Sequence, residues 1–134
     1  MTDETTYTLR RHDEHLAVVK LAVGADIPSW AGSSSLLSIS ATATETSLVC
    51  AAGGVPTKAR PQGPFAAFEV AGRLDFALTG VLAALLTPLA EAEISVFTIS
   101  TFDTDWILVP ADAADRAAEE WRRRGHDVVP ATTL

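Results

Sequence analysis

Residues Leu74–Val109 read LDFALTGVLAALLTPLAEAEISVFTISTFDTDWILV, and this stretch decides the fold. Thr79-Gly80 is a compact turn that opens an apolar helical pattern. Val81, Leu82, Leu85, Leu86 and Leu89 recur at helical spacing, which predicts one buried helix face. Pro88 lies inside the pattern and should kink or shorten the helix, because proline lacks an amide proton and its ring crowds the preceding turn. Ile94–Thr101 (ISVFTIST) is rich in β-branched residues and apolar or neutral on both faces, which predicts a central strand. Trp106–Val109 (WILV) is its expected hairpin partner across Phe102–Asp105.

Toward the C-terminus, Asp112 can cap a last helix, with Asp115 three residues on. Ala114, Ala117, Ala118 and Trp121 form its expected inward face. Glu119 and Glu120 precede Arg122-Arg123-Arg124, a charge order that suits the helix dipole, and Gly125 is the expected stop. Asp127-Val128-Val129 can supply a short final strand.

Toward the N-terminus, residues 65–70 (FAAFEV) predict another strand, bent at Gly72 and continued by Arg73–Phe76. Ala51–Pro64 is too rich in glycine and proline for a long helix, although one turn around Val55–Ala59 fits. Leu36–Ser40 and Thr46–Cys50 predict two strands joined by a hairpin loop, ATATE. Asp26–Trp30 could open a helical turn with Pro28 at its start, and Leu16–Leu21 (LAVVKL) predicts the first strand. Residues 1–14 read as a polar leader. The order of expected elements is βαββαβ, twice, with the helices of the first copy eroded. The expected fold is therefore α+β: a first ferredoxin-like unit over residues 15–70 and a second over 71–134.

Composition narrows the function. The chain has 134 residues, 48% of them hydrophobic, enough for a core. Its net charge is −7, and the one basic cluster is Arg122–Arg124, which argues against phosphate neutralisation and hence against nucleic acid as a partner. No run approaches the ~18 apolar residues of a membrane span, and the leader has no signal-peptide apolar segment, so a cytoplasmic protein is the default. Cys50 is the only cysteine and reads as a buried small hydrophobe.

Catalytic motifs are missing from the sequence. His12 and His15 lie in the polar leader without further metal-type ligands, and His126 follows the arginine-rich helix end. Gly53-Gly54 lacks the Lys-Ser/Thr of a phosphate loop, and no G-x-S-x-G turn occurs. No cofactor or metal is expected. Asp103 and Asp105 are the strongest functional candidates. They could solvate a turn or form part of a weak cation site, for which two carboxylates are too few. A third reading sets them against the helix start at Thr79, Gly80 and Val81. In a βαββαβ sheet, that start shares one end with Thr101 and Phe102. Free N–H groups on one side and the Asp105 carboxylate on the other would suit a zwitterion, its carboxylate at Gly80-Val81 and its ammonium at Asp105.

The segment ISTFDTDWILVP, with LDFALTGVLAALLTPLAEAEIS before it, resembles the small ACT-domain proteins of bacteria. It is also similar to ACT units of the cytosolic arginine sensor of animal cells and, more distantly, to the regulatory domains of aspartate kinases. The resemblance is strongest over about Phe68–Val129, and STFDTD after a Thr-Gly helix start is its most specific signature. The first half, with LAVVKL, IPSW and SLLSIS to TSLVC, resembles a degenerate first ACT unit. The resemblance implies a tandem ACT protein that binds an amino acid and has no active site. It implies a ligand held by Thr79, Gly80 and Val81, by Thr101 and Phe102, and by Asp105. Leu78 stands where the arginine sensor carries an acidic residue, so an apolar or small amino acid suits this chain as well as arginine. A homodimer would restore four ACT units and complete a seam site. The competing expectation is a ligand-free ACT module that works through dimerisation or a regulated protein partner, with Asp103 and Asp105 as loop residues.

Overall fold

The computed structural model describes residues 5–72 and 79–131. The elements in chain order are β1 (Thr8–Leu21), β2 (Ser38–Ala41), β3 (Thr46–Ala51), β4 (Gln62–Val70), α1 (Val81–Glu91), β5 (Phe97–Ser100), β6 (Asp105–Pro110), α2 (Ala114–Arg123) and β7 (Asp127–Pro130). Short 3-10 turns occupy Ala52–Gly54, Thr57–Ala59 and Ala111–Ala113. The fold is mixed α+β and dominated by one sheet of order β2-β3-β1-β4-β6-β5, with β7 paired to β1.

The sheet has two dissimilar faces, as the period of two along each strand requires. Ala66, Phe68 and Val70 of β4 and Ile107 and Val109 of β6 face the helices and pack with Val81, Leu85 and Leu89 of α1 and Ala114, Ala117 and Trp121 of α2. The alternate residues Ala67, Trp106 and Leu108 form a second cluster with Leu16, Leu36 and Val49, to which no helix contributes. Trp121 ties the helix layer together. Its Nε1–H donates to the Leu85 carbonyl at 2.8 Å, and its ring meets Phe68 edge-on at 4.9 Å.

Both halves of the chain use the same pairing. β1 pairs antiparallel with β3, and β3 with β2. β4 pairs antiparallel with β6, and β6 with β5. The hairpins close at Ala41↔Thr46 and Ser100↔Asp105. β3 and β6 each run directly into a 3-10 turn, at Ala52–Gly54 and Ala111–Ala113. The two halves meet where β1 and β4 lie antiparallel, Leu16 opposite Phe65. β4 thus completes the first set of strands and opens the second. The expected boundary between residues 70 and 71 falls at the end of a strand that both halves use.

Several expectations are corrected. β1 starts at Thr8, so the second half of the expected leader is strand. Its polar residues are held by neighbours, Arg11 by Asp115 and His12 by Glu69, and tertiary pairing thereby overrides local polarity. No helix forms at Asp26–Trp30; Ala31 N–H closes a single turn on the Pro28 carbonyl. Ile94–Thr101 is neither long nor central: β5 is four residues at the sheet edge, with Phe97 exposed. β6 is the buried inner strand instead. The apolar residues of the preceding stretch went elsewhere, Ile94 into the core under the helices. Pro88 is accommodated near the C-terminal end of α1, which ends at Glu91. Asp112 caps nothing, because the 3-10 turn leads directly into α2 and no side-chain cap bond forms there. β7 pairs with β1 in parallel, so β1 lies between β7 and β4. Arg73–Phe76 and Leu78 lie outside the described residues.

Candidate functional site

The sequence-derived site residues fall in two groups, the start of α1 and the turn between β5 and β6. The end of β4 pairs with the beginning of β6, Glu69 opposite Trp106, so the turn between β5 and β6 lies beside the end of β4. α1 is the next element after β4, and Thr79 and Gly80 stand exposed at its start. Gly80 is the N-cap with φ 81°, a left-handed conformation in which glycine carries no Cβ strain, and its carbonyl accepts the Ala84 N–H at 2.9 Å. Val81 is buried as the first core residue of the helix, so its side chain is committed to packing and its backbone N–H is what a ligand could meet.

The second group is a tight turn. Thr101 N–H donates to the Thr104 carbonyl at 2.8 Å. Thr104 N–H returns to Thr101 Oγ1 at 3.1 Å, and the two hydroxyls meet at 2.8 Å. Phe102 projects from the tip, 74% exposed, with Asp103 exposed next to it. Asp105, half-buried at the first position of β6, accepts from Ser100 Oγ at 2.6 Å. Ser100 therefore fixes the rotamer of the carboxylate proposed to meet an ammonium. Sequence reading did not single it out, although a hydroxyl across a hairpin from a candidate acid is the available signal.

A carboxylate-binding loop that sequence reading also missed lies in the first half. Glu14 is gripped by Ser33–Ser35. Its carboxylate accepts from the Ser34 and Ser35 N–H groups at 3.0–3.1 Å and from the hydroxyls of Ser33, Ser34 and Ser35. Burial pushes its carboxyl up, but the Ser33 and Ser35 hydroxyls and the two N–H groups outweigh this and hold it down at about 2. The grip is structural, since it ties the loop before β2 onto β1. Cys50 is fully buried, and burial pushes its thiol up, with the Gly32 backbone opposing and Glu14 adding to the rise. An inert core thiol follows.

Of the histidines, His126 is buried and accepts the Tyr7 N–H on Nδ1 at 3.0 Å, with the two rings stacked. Burial and then Arg124 lower its pKa below the ordinary 6.5, so it sits neutral. His12 and His15 do not act together: His12 binds Glu69 and lies tilted against Trp106, whereas His15 is exposed. Among the described residues, no group of three or more His, Cys, Asp or Glu is placed to hold a metal ion.

With this geometry in view, the chain can be set beside known proteins. Residues 62–119 match the ACT domain family. This segment begins with β4 and includes both groups of candidate site residues. A second family, described as an N-terminal domain, matches residues 14–58. No curated protein matches. Among solved structures, the chain is similar to protein Atu0741 of Agrobacterium tumefaciens, with a TM-score of 0.87, 27% identity and 96% of each chain covered. It is also similar to VC0802 of Vibrio cholerae, described as a protein of unknown function and possible transport protein, with a TM-score of 0.68 and 19% identity over 89% of this chain and 90% of that one. The regulatory subunit of aspartate kinase from Thermus flavus shares the fold, with a TM-score of 0.59 and 10% identity over 90% of this chain and 97% of that one.

Proposed function

We propose that this chain is a non-catalytic regulatory protein that binds an amino acid. On this reading, two ferredoxin-like units share β4, and the effector sits at the end of the second. Its carboxylate meets the N–H groups at Gly80-Val81 and its ammonium meets Asp105 and the backbone of the turn at Thr101 and Phe102. Leu78 and Asp103 are secondary contacts. The observation that carries the reading is that one ACT-matching segment holds both an exposed helix start at Gly80 and an acid, Asp105, oriented by a hydroxyl. Helix starts favour anions, and a carboxylate paired to an ammonium is a strong hydrogen bond. The shared fold with an aspartate kinase regulatory subunit supports a regulatory role. A homodimer that completes the seam, acting in the cytoplasm on a regulated protein, is the assembly this reading expects. No helix among the described residues is long and apolar enough to cross a membrane.

The test is a thermal-shift screen of the twenty amino acids. A ligand specific for the native state stabilises it by about 2.7 kcal/mol at a hundredfold excess over Kd. Asp105→Ala should abolish the shift while leaving the unliganded melting temperature near that of the parent. No shift at millimolar concentration with any amino acid would sink the reading, and a shift that survives Asp105→Ala would remove the ammonium contact from it. In the first outcome, a ligand-free module that dimerises or binds a protein partner becomes the better account if a dimer forms without any added amino acid.

A further inference from the structure

The face of the sheet away from the helices carries polar groups that the effector reading leaves unused. His12 of β1 donates from Nε2 to Glu69 Oε1 of β4 at 3.0 Å. The imidazole also lies on the indole of Trp106, with ring centroids 4.8 Å apart. Trp106 is only 6% exposed, and Leu16, Ala67 and Leu108 pack with it in the cluster on that face. Its one polar atom points out of the cluster: Nε1–H donates to Thr104 Oγ1 at 3.1 Å. Thr104 Oγ1 in turn meets Thr101 Oγ1 at 2.8 Å. A continuous run of contacts therefore leads from a β1 histidine to the tip of the turn that carries Thr101 and Phe102.

We propose that His12 is a positioning residue for the Thr101–Thr104 turn, acting through the Trp106 indole. A hydroxyl can rotate, so Thr104 Oγ1 holds one orientation only if a fixed donor faces it. The indole is that donor, and it stays fixed because the ring of His12 packs against it at 4.8 Å. The first half of the chain supplies the contrast. Its hairpin turn at Thr42–Glu45 has the same closing bond, Thr42 N–H to the Glu45 carbonyl at 2.8 Å. The residue two beyond that turn, placed as Trp106 is placed after Thr104, is Ser47, which has no ring or indole donor. The propped turn belongs to the half with the candidate site and the unpropped one does not. The functional half of this proposal rests on the effector reading above; the structural half does not.

The experiment is amide hydrogen exchange at Thr101 read by NMR, with Thr42 as the internal reference. In His12→Ala, exchange at Thr101 should quicken about fivefold, the order of one hydrogen bond's net worth, while Thr42 keeps the parent rate. His12→Phe keeps a ring on the indole and should restore the parent rate at Thr101. Any amino acid found to bind the parent should bind His12→Ala about fivefold more weakly and His12→Phe as the parent does. Unchanged exchange at Thr101, equal quickening at both turns, or no restoration by phenylalanine overturns the positioning role. Equal ligand affinity in parent and His12→Ala overturns its link to binding. The exchange arm needs no ligand, so a failed amino-acid screen and a failed positioning role are told apart.

Discussion

Glu14 and His126 each tie stability to pH in the acid direction. Glu14 is held down at about 2 in the folded chain, against 4.5 as an ordinary glutamate. A depressed carboxyl contributes stability that is fully present above its unfolded value and is lost as pH falls through the folded one. His126 behaves alike in sign, because its folded pKa also lies below its unfolded 6.5. Between those values the unfolded chain binds the extra proton, so stability falls as pH drops below 6.5. Urea titrations across pH should therefore show a first loss below 6.5 and a second between 4.5 and 2. Glu14→Gln should remove much of the second and His126→Gln much of the first; a slope unchanged in either variant refutes the assignment of that step. The serine triplet at Ser33–Ser35 was visible in the sequence, but its acid was not. Glu14 lies some twenty residues earlier and reaches the loop only because β1 runs past it.

The elements were legible in proportion to how local their causes are. α1 could be read because its apolar spacing and its Thr-Gly start act within one or two turns. α2 could be read from its alanine face and its charge order, although its start could not, since a 3-10 turn replaces the expected aspartate cap. β5 and β6 were read with their ranks exchanged. β-branched content describes a residue that fits a pleated surface and is silent on which strand lies at the edge. Packing between the helices offers a direct check. Trp121 is wholly buried, and Phe in its place could fill much of the space but donate nothing to the Leu85 carbonyl. Trp121→Phe should cost about 2 kcal/mol in urea unfolding, from lost volume and one buried hydrogen bond. A cost below ~0.5 kcal/mol would mean that α1 and α2 are held by other contacts.

At the scale of the whole molecule, the two halves are joined through β1. β4 pairs with β1 along most of its length, and β7 pairs with β1. Removing β1 strips β4 of one side and leaves β7 without its neighbour, exposing backbone groups that need partners. A fragment of residues 62–134, which contains the whole ACT match, should therefore show no cooperative unfolding transition by circular dichroism. A fragment that unfolds cooperatively would show that β4 and β7 can pair directly. The candidate turn was legible as a cluster of Thr, Phe and Asp, but its supports were not. Ser100, Trp106 and Thr104 are near it in sequence, whereas His12 and Glu69 reach it only through the sheet.

By itself the sequence determined both helices and most strands of the second half, the core face of each helix and the likeness of that half to the ACT family. Those properties follow from periodicity, turn chemistry and local composition, which act over a few residues. Tertiary structure alone decided that β1 begins in a polar stretch, that β4 serves both halves, that β7 joins β1 and that His12 lies on Trp106. These depend on which distant backbones exchange hydrogen bonds. Strand pairing satisfies the same N–H and C=O groups whichever neighbour supplies the partner, so local sequence leaves that choice open until the whole sheet closes.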